Sequence, residues 1–241
     1  VNEQEYAARR NEILDVAMRL VYTQGYEQMS IQDILDALGM SKGAFYHYFQ
    51  SKSDLLEALI ERMMEEAEKV IIPKVQDPNR TALEKLNDFL GSSVRWKTDR
   101  KDLMMAIMRA WYSDENAILR QKLTAMGISR YSPWINQIIR QGVEEGVFQN
   151  RHFEQIGEVI YHLILGLGEG MAARLLGAGP VLTEDFSDSV AAYTDALERV
   201  LGAPAGSLVV IAPDILKEWI SITSLTAETG ETPAETANFT R

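Results

Sequence analysis

Between residues 30 and 49 the chain carries two short amphipathic patterns hinged on a single glycine, a moderately specific spacing that gains weight from the two faces of the second pattern. Ser30 and Asp33 stand three apart, as in a capping box, ahead of Ile31, Ile34, Leu35 and Leu38, which predict a helix ending at Gly39. Ser41 is placed to cap a further helix that turns Phe45 and Phe49 inward. Lys42 with Tyr46, and Gly43 with His47, fall on the other side of that helix. Two short helices joined through Leu38-Gly39-Met40-Ser41 match a helix-turn-helix, in which glycine permits the tight turn and the second helix enters the major groove of DNA.

The rest of the chain reads as helix. Upstream, Ile13, Ala17, Leu20 and Val21, widened by Leu14 and Met18, form one apolar stripe that Gly25 ends. Ser51 and Asp54 repeat the capping pattern before Leu55, Leu56, Leu59, Ile60 and Met63. Beyond Pro73 and Pro78, helical patterns recur around Leu83–Trp96, Asp102–Trp111, Glu115–Met126, Pro133–Glu145, Phe153–Leu176 and Glu184–Leu201, with no convincing alternating strand. The expected fold is all-α: a three-helix DNA-binding head (residues 1–52) joined to a larger helical domain (53–202) expected to serve effector binding, dimerisation, or both. A C-terminal extension (203–241) holds a short helix at Asp214–Ile222 and a Thr/Glu-rich tail, expected to be mobile or loosely docked after Ser224.

A formal charge of −11 argues, taken alone, against a nucleic-acid partner, because phosphates are neutralised by lysine and arginine. Its distribution softens the objection: from Glu154 onward there are 13 acids against 4 bases, whereas 37–53 holds no acid at all and contains Lys42, Lys52 and His47. The local field at the head can therefore be positive in an acidic molecule. With no cysteine, there is no disulfide or thiolate chemistry; a cytoplasmic address is expected, and no apolar run approaches the ~20 residues of a membrane span.

The run Ile34-Leu35-Asp36-Ala37-Leu38-Gly39-Met40-Ser41-Lys42-Gly43-Ala44-Phe45-Tyr46-His47-Tyr48-Phe49-Gln50-Ser51-Lys52 resembles the tetracycline-repressor (TetR) family of transcription regulators. So do Ile13-Leu14-Asp15-Val16-Ala17, Gly25-Tyr26 and Met29-Ser30-Ile31-Gln32-Asp33 upstream, at the family's usual distances. The resemblance covers residues 9–60, about a quarter of the chain. It implies that Ser30 caps the second helix and touches phosphate, and that Gln32, often basic in relatives, reaches a base edge or backbone. Lys42 and Gly43 then open the reading helix, one able to hydrogen-bond guanine and the other letting backbone approach. Ala44 can meet a thymine methyl, Tyr46 and Tyr48 offer phosphate-contacting hydroxyls, Lys52 clamps phosphate, and His47 occupies a variable reading position. A histidine is frequent in relatives where Tyr48 stands here.

The resemblance further implies a homodimer on a palindromic operator, released by a small-molecule effector, with repression the leading expectation. The alternatives are activation, or a ligand-binding helical dimer with secondary DNA binding. Trp96, Met104, Met105, Met108, Trp111, Tyr112 and Trp134 are the candidates to line a largely apolar effector pocket, although such side chains at helical spacing more often pack as core. Gly166, Gly170, Ala173 and Gly177 form a small-residue strip expected at the dimer interface.

Gly168-Glu169-Gly170-Met171-Ala172-Ala173 formally satisfies a dinucleotide fingerprint, but no strand precedes it, so no such cofactor is expected. His47, His152 and His162 are not spaced as a metal pair, and no nucleophile elbow or phosphate loop is present, so neither metal site nor enzyme is expected. The pairs Asp114-Glu115, Glu144-Glu145 and Glu184-Asp185 read as solvated acids or as acids favouring a helix N-terminus.

Overall fold

A computed structural model describes residues 2–177 and 183–229, without the side chains of 183–185 and 222–229. Among the described residues all regular structure is helical: α1 (Glu3–Gln24), α2 (Ile31–Leu38), α3 (Lys42–Tyr46), α4 (Lys52–Val75), α5 (Ala82–Thr98), α6 (Lys101–Tyr112), a 3₁₀ turn (Asp114–Asn116), α7 (Ala117–Glu144), α8 (Ile156–Leu175), α9 (Thr183–Leu201) and α10 (Pro213–Thr229). None of these helices is long and apolar enough to cross a membrane. The chain divides into two compact units, one comprising the residues up to Glu66 with Arg100–Leu123, the other Ala67–Asp99 with the described chain from Thr124 onward.

The first unit is built on local capping. Asn2 starts α1, its Oδ1 accepting the Gln4 N–H at 3.2 Å while its own N–H donates to Glu5 at 3.4 Å. Helix α1 thus begins ten residues before the stripe that starts at Ile13. Ser30 Oγ accepts the Asp33 N–H at 3.2 Å, and the Asp33 carboxylate accepts the Ser30 N–H at 2.8 Å, closing the expected capping box on α2. Gly39 ends α2 in the left-handed region (φ 59°), where a Cβ costs ~1 kcal/mol, and the next N–H, from Met40, reaches back to Leu35 O at 3.0 Å. Ser41 Oγ accepts the Ala44 N–H at 3.2 Å and starts α3. Ile13, Leu14, Ala17, Val21, Met29, Ile34, Phe45, Phe49, Leu55, Leu56 and Leu59 are buried as the core of this unit. Burying each large side chain among them stabilises the fold by about 1.5–3 kcal/mol.

In the second unit α8 packs on α9, and α10 packs on both α5 and α9. Thr81 and Glu84 form a capping box for α5, and Glu145 accepts the Ala82 N–H at 2.9 Å in the same first turn, the N-terminal role expected of an acid at that pair. Two of the expected boundaries are absent. Pro133 lies inside a continuous α7 rather than opening a separate helix, and α4 runs through Pro73. The reason in α7 is its inward row, Gly127, Tyr131, Ile135, Ile138, Ile139 and Gly142, which is buried without interruption while Pro133 faces solvent. Packing on both sides outweighs the ~3 kcal/mol that an interior proline costs.

The C-terminal extension is docked over its described length. Glu198 accepts the N–H groups of Gly206 and Leu208 at 3.0 and 2.9 Å, and Asn87 binds Ser207 O and the Val209 N–H at 3.0 and 2.8 Å. Trp219 Nε1 donates to Thr98 Oγ1 at 2.8 Å, and Arg95 pairs with Asp214 at 2.9 Å. Helix α10 therefore continues to Thr229, past the expected end at Ile222 and past Ser224. The remainder of the Thr/Glu-rich tail lies outside the described residues.

Candidate nucleic-acid interface

Helix α3 divides into two faces. Phe45 and, just past the helix, Phe49 are 0% and 1% exposed, their ring centres 5.9 Å apart and the Arg10 guanidinium 5.1 Å above the Phe49 ring. Lys42, Gly43, Ala44, Tyr46 and His47 are open to solvent, and Tyr48 is half-buried. A Cβ at Gly43 would meet nothing within 4 Å, so the backbone there is free to approach a large ligand.

Lys42, Tyr46, Ser30, Gln32 and Lys52 line one shallow groove together with Glu27 and Met29. Lys52 is anchored at its rim: Nζ donates to Glu27 O at 3.1 Å and lies 4.4 Å from the centre of the Tyr26 ring, while the Tyr26 hydroxyl donates to Lys52 O at 3.2 Å. Burial lowers the Lys52 ammonium pKa, opposed by Glu27, Glu115 and Asp33, which favour the charged form. Burial, with Glu115 and Glu27 adding to it, pushes the Tyr26 phenol up to about 12, so it stays a neutral donor. Gln32 spends its amide on Asp36 Oδ1 at 2.7 Å and must exchange that bond for any contact with a base or phosphate.

The sequence reading missed Tyr6. Its ring packs 4.8 Å from Tyr48 and edge-on to His47 at 5.6 Å, so α1 buttresses two of the expected DNA-contacting residues, one for phosphate and one at the variable reading position. The available signal was its spacing, two helical turns ahead of Ile13 on the α1 stripe. Tyr26, which holds Lys52, was read only as part of the family pattern.

The expected effector residues divide between the two units. Met104 and Met105 are buried in the core of the first, where Met108, Trp111 and Tyr112 are half-buried. Arg120 donates to Trp111 O at 2.7 Å and stands 5.6 Å above the Tyr112 ring. Trp96 is buried in the second unit, where Trp134 is half-buried and packs edge-on against Tyr131 at 5.7 Å. Of the small-residue strip, Gly166 faces the Tyr193 hydroxyl of α9, at 3.0 Å from an added Cβ. Gly170 has only the Arg174 guanidinium near it, and Ala173 is exposed. Gly177 lies beyond the end of α8, with φ 89°, so it belongs to the following turn and not to a helical strip. The fingerprint glycines Gly168 and Gly170 sit within α8.

Two capped helices around a left-handed glycine, with one face of the second in the core and the other open, define a helix-turn-helix DNA-binding regulator. Residues 13–59 match the family model described as bacterial regulatory proteins, tetR family. The chain is 32% identical over 148 residues to the HTH-type transcriptional regulator AcrR of Shigella flexneri, covering 59% of this chain and 67% of that one. The chain belongs to the TetR family. It is also 26% identical over 169 residues to the nucleoid occlusion factor SlmA of Vibrio campbellii, 70% of this chain and 84% of that one. The fold is that of a TetR-family regulator from Pectobacterium atrosepticum, with TM-score 0.60 at 20% identity over 87% of this chain and 98% of the other.

Proposed function

We propose that the protein is a homodimeric, sequence-specific repressor that acts in the cytoplasm on a palindromic operator and is released by a largely apolar small molecule. The observation that carries this reading is the split of α3, with Phe45 and Phe49 locked in the core and Lys42, Gly43, Ala44, Tyr46 and His47 presented outward. Lys42 and Gly43 read base edges, Ala44 meets a thymine methyl, and His47 lies at the variable reading position. Ser30, Gln32, Tyr46, Tyr48 and Lys52 hold the backbone.

Residues 1–52 are the DNA head, 53–202 bind effector and dimerise, and 203–241 are a C-terminal extension. A two-fold dimer presents its reading helices about 34–36 Å apart, or a multiple, to reach successive major grooves. An effector that prefers a differently spaced conformation shifts the population off DNA. Selection against random double-stranded DNA at fixed salt, with Tyr46→Ala as control, tests the proposal. An enriched palindrome lost in the control supports it; no enrichment by a folded protein refutes it.

Similarity over 84% of a protein named nucleoid occlusion factor favours one second reading, DNA binding that does not act on transcription. Mapping bound sites along the chromosome separates the two, because a repressor occupies promoters and the alternative occupies sites scattered without regard to them.

A further inference from the structure

Three aromatic rings close on one another at the edge of the reading helix. Tyr6, in the first turn of α1, lies 4.8 Å from Tyr48 with the ring planes 31° apart, and meets His47 edge-on at 5.6 Å. His47 in turn meets Tyr48 edge-on at 5.2 Å, so each ring touches both others. Two further contacts hold α1 in place for this. The Asn2 and Glu5 capping box keeps its first turn from fraying, and one turn beyond Tyr6 the Arg10 guanidinium stands 5.1 Å above the buried Phe49 ring.

The backbone that carries His47 and Tyr48 is fixed without help from α1. The N–H groups of Tyr48 and Phe49 both donate to Phe45 O, at 2.8 and 3.1 Å, and Phe45 is in the core. What this leaves free is the side-chain torsions. His47 is exposed and Tyr48 half-buried, and among the described residues no hydrogen bond reaches the imidazole or the hydroxyls of Tyr6 and Tyr48. Their orientation therefore depends on ring packing, and Tyr6 is the one ring of the three that comes from outside the reading segment. A side chain that is loose in the free protein must be immobilised when it docks, which lowers affinity; one already held in place avoids that loss.

We propose that Tyr6 is a positioning residue for DNA recognition: its ring holds His47 toward a base edge and the Tyr48 hydroxyl toward phosphate before DNA arrives. The proposal rests on the DNA-binding reading above and adds to it a residue of α1 that acts through other side chains. It is the ring of Tyr6 that acts, and its hydroxyl is dispensable.

Two measurements on the full chain test it, with Tyr6→Leu, which keeps an apolar side chain but removes the ring, and Tyr6→Phe, which keeps the ring. The first needs no DNA. His47, His152 and His162 are the three histidines, so their imidazole NMR signals can be assigned by substitution. Tyr6→Leu should move the His47 signal toward that of a free histidine and leave His152 and His162 in place, and Tyr6→Phe should keep the wild-type pattern. A His47 signal unmoved in Tyr6→Leu overturns the proposal.

The second is selection from random duplexes followed by titration of the selected palindrome. Tyr6→Leu should bind it at least about tenfold more weakly over the two half-sites, and should relax the same base position that His47→Ala relaxes while keeping preference elsewhere. Tyr6→Phe should match the wild type. In a background of His47→Ala with Tyr48→Ala, Tyr6→Leu should have no further effect. A loss equally large in that background, a loss in Tyr6→Phe, or a loss that only tracks a lower folded fraction in melts would each overturn the role. The first two would instead make Tyr6 a direct contact, and the third a purely structural residue. Unchanged selection by Tyr6→Leu refutes the positioning role alone. No selection by the wild type refutes the DNA-binding reading, and the positioning role falls with it.

Discussion

Replacing Lys52 with methionine removes one charge from a fixed place on the rim of the groove. In the free protein its ammonium is held by Glu27 O at 3.1 Å and by the Tyr26 ring at 4.4 Å. Losing both costs about 1 kcal/mol of stability, a small value because the side chain is only half-buried and its desolvation is relieved at the same time. The effect on DNA binding is larger. Each phosphate contact contributes about 0.9 to the slope of log affinity against log salt, so a dimer that loses one per protomer loses about 1.8. Between roughly 50 and 200 mM salt the wild-type affinity should therefore fall about twelvefold more steeply than that of the variant. Fluorescence anisotropy on a selected duplex and on a scrambled one measures both slopes. Lys52→Met should weaken the two duplexes alike, and Lys52→Arg should restore the slope. A slope unchanged in a folded Lys52→Met protein would falsify the phosphate role and mean that Lys52 serves only to join Glu27 and Tyr26.

Lys42→Ala should relax base preference at one position of each half-site by about 1–3 kcal/mol, measured against single-base variants of the duplex. Ser30→Ala removes the α2 cap and should cost about 1 kcal/mol in denaturant melts. The backbone N–H of Ser30, then its hydroxyl, hold the Asp33 carboxyl below the usual aspartate range, so the stabilisation is full at neutral pH and is lost as pH falls below about 4 through the lowered pKa. The variant should accordingly show a shallower acid transition. Gly170→Leu places bulk where only the flexible Arg174 end lies nearby, so it should leave the protomer folded and weaken a dimer formed through this face; sedimentation identical to wild type counts against that interface. Thr98→Val orphans the buried Trp219 N–H and should cost about 1–3 kcal/mol, read as a lower melting temperature.

The head was legible because its determinants are local. Ser30 with Asp33, Gly39 and Ser41 each act on backbone groups within five residues, so the sequence states the cap and the turn directly. Tyr6 escaped because its partners, His47 and Tyr48, are distant in sequence. The same holds for α10, whose anchors Thr98 and Arg95 lie more than a hundred residues away, and an isolated segment rich in threonine and glutamate gives no sign of them. Pro133 misled for a complementary reason: its local cost is real, but the buried row from Tyr131 to Ile135 continues through it.

The proposed function depends on the open face of α3 meeting DNA. Amide NMR shifts of the deuterated protein, followed as duplex DNA is added, test it most directly. The largest changes should fall at Ser30–Gln32, Lys42–Tyr48 and Lys52, while the amides of α8 and α9 stay nearly fixed. Shifts centred on α8 and α9, with those of Lys42–Tyr48 unmoved, would contradict it.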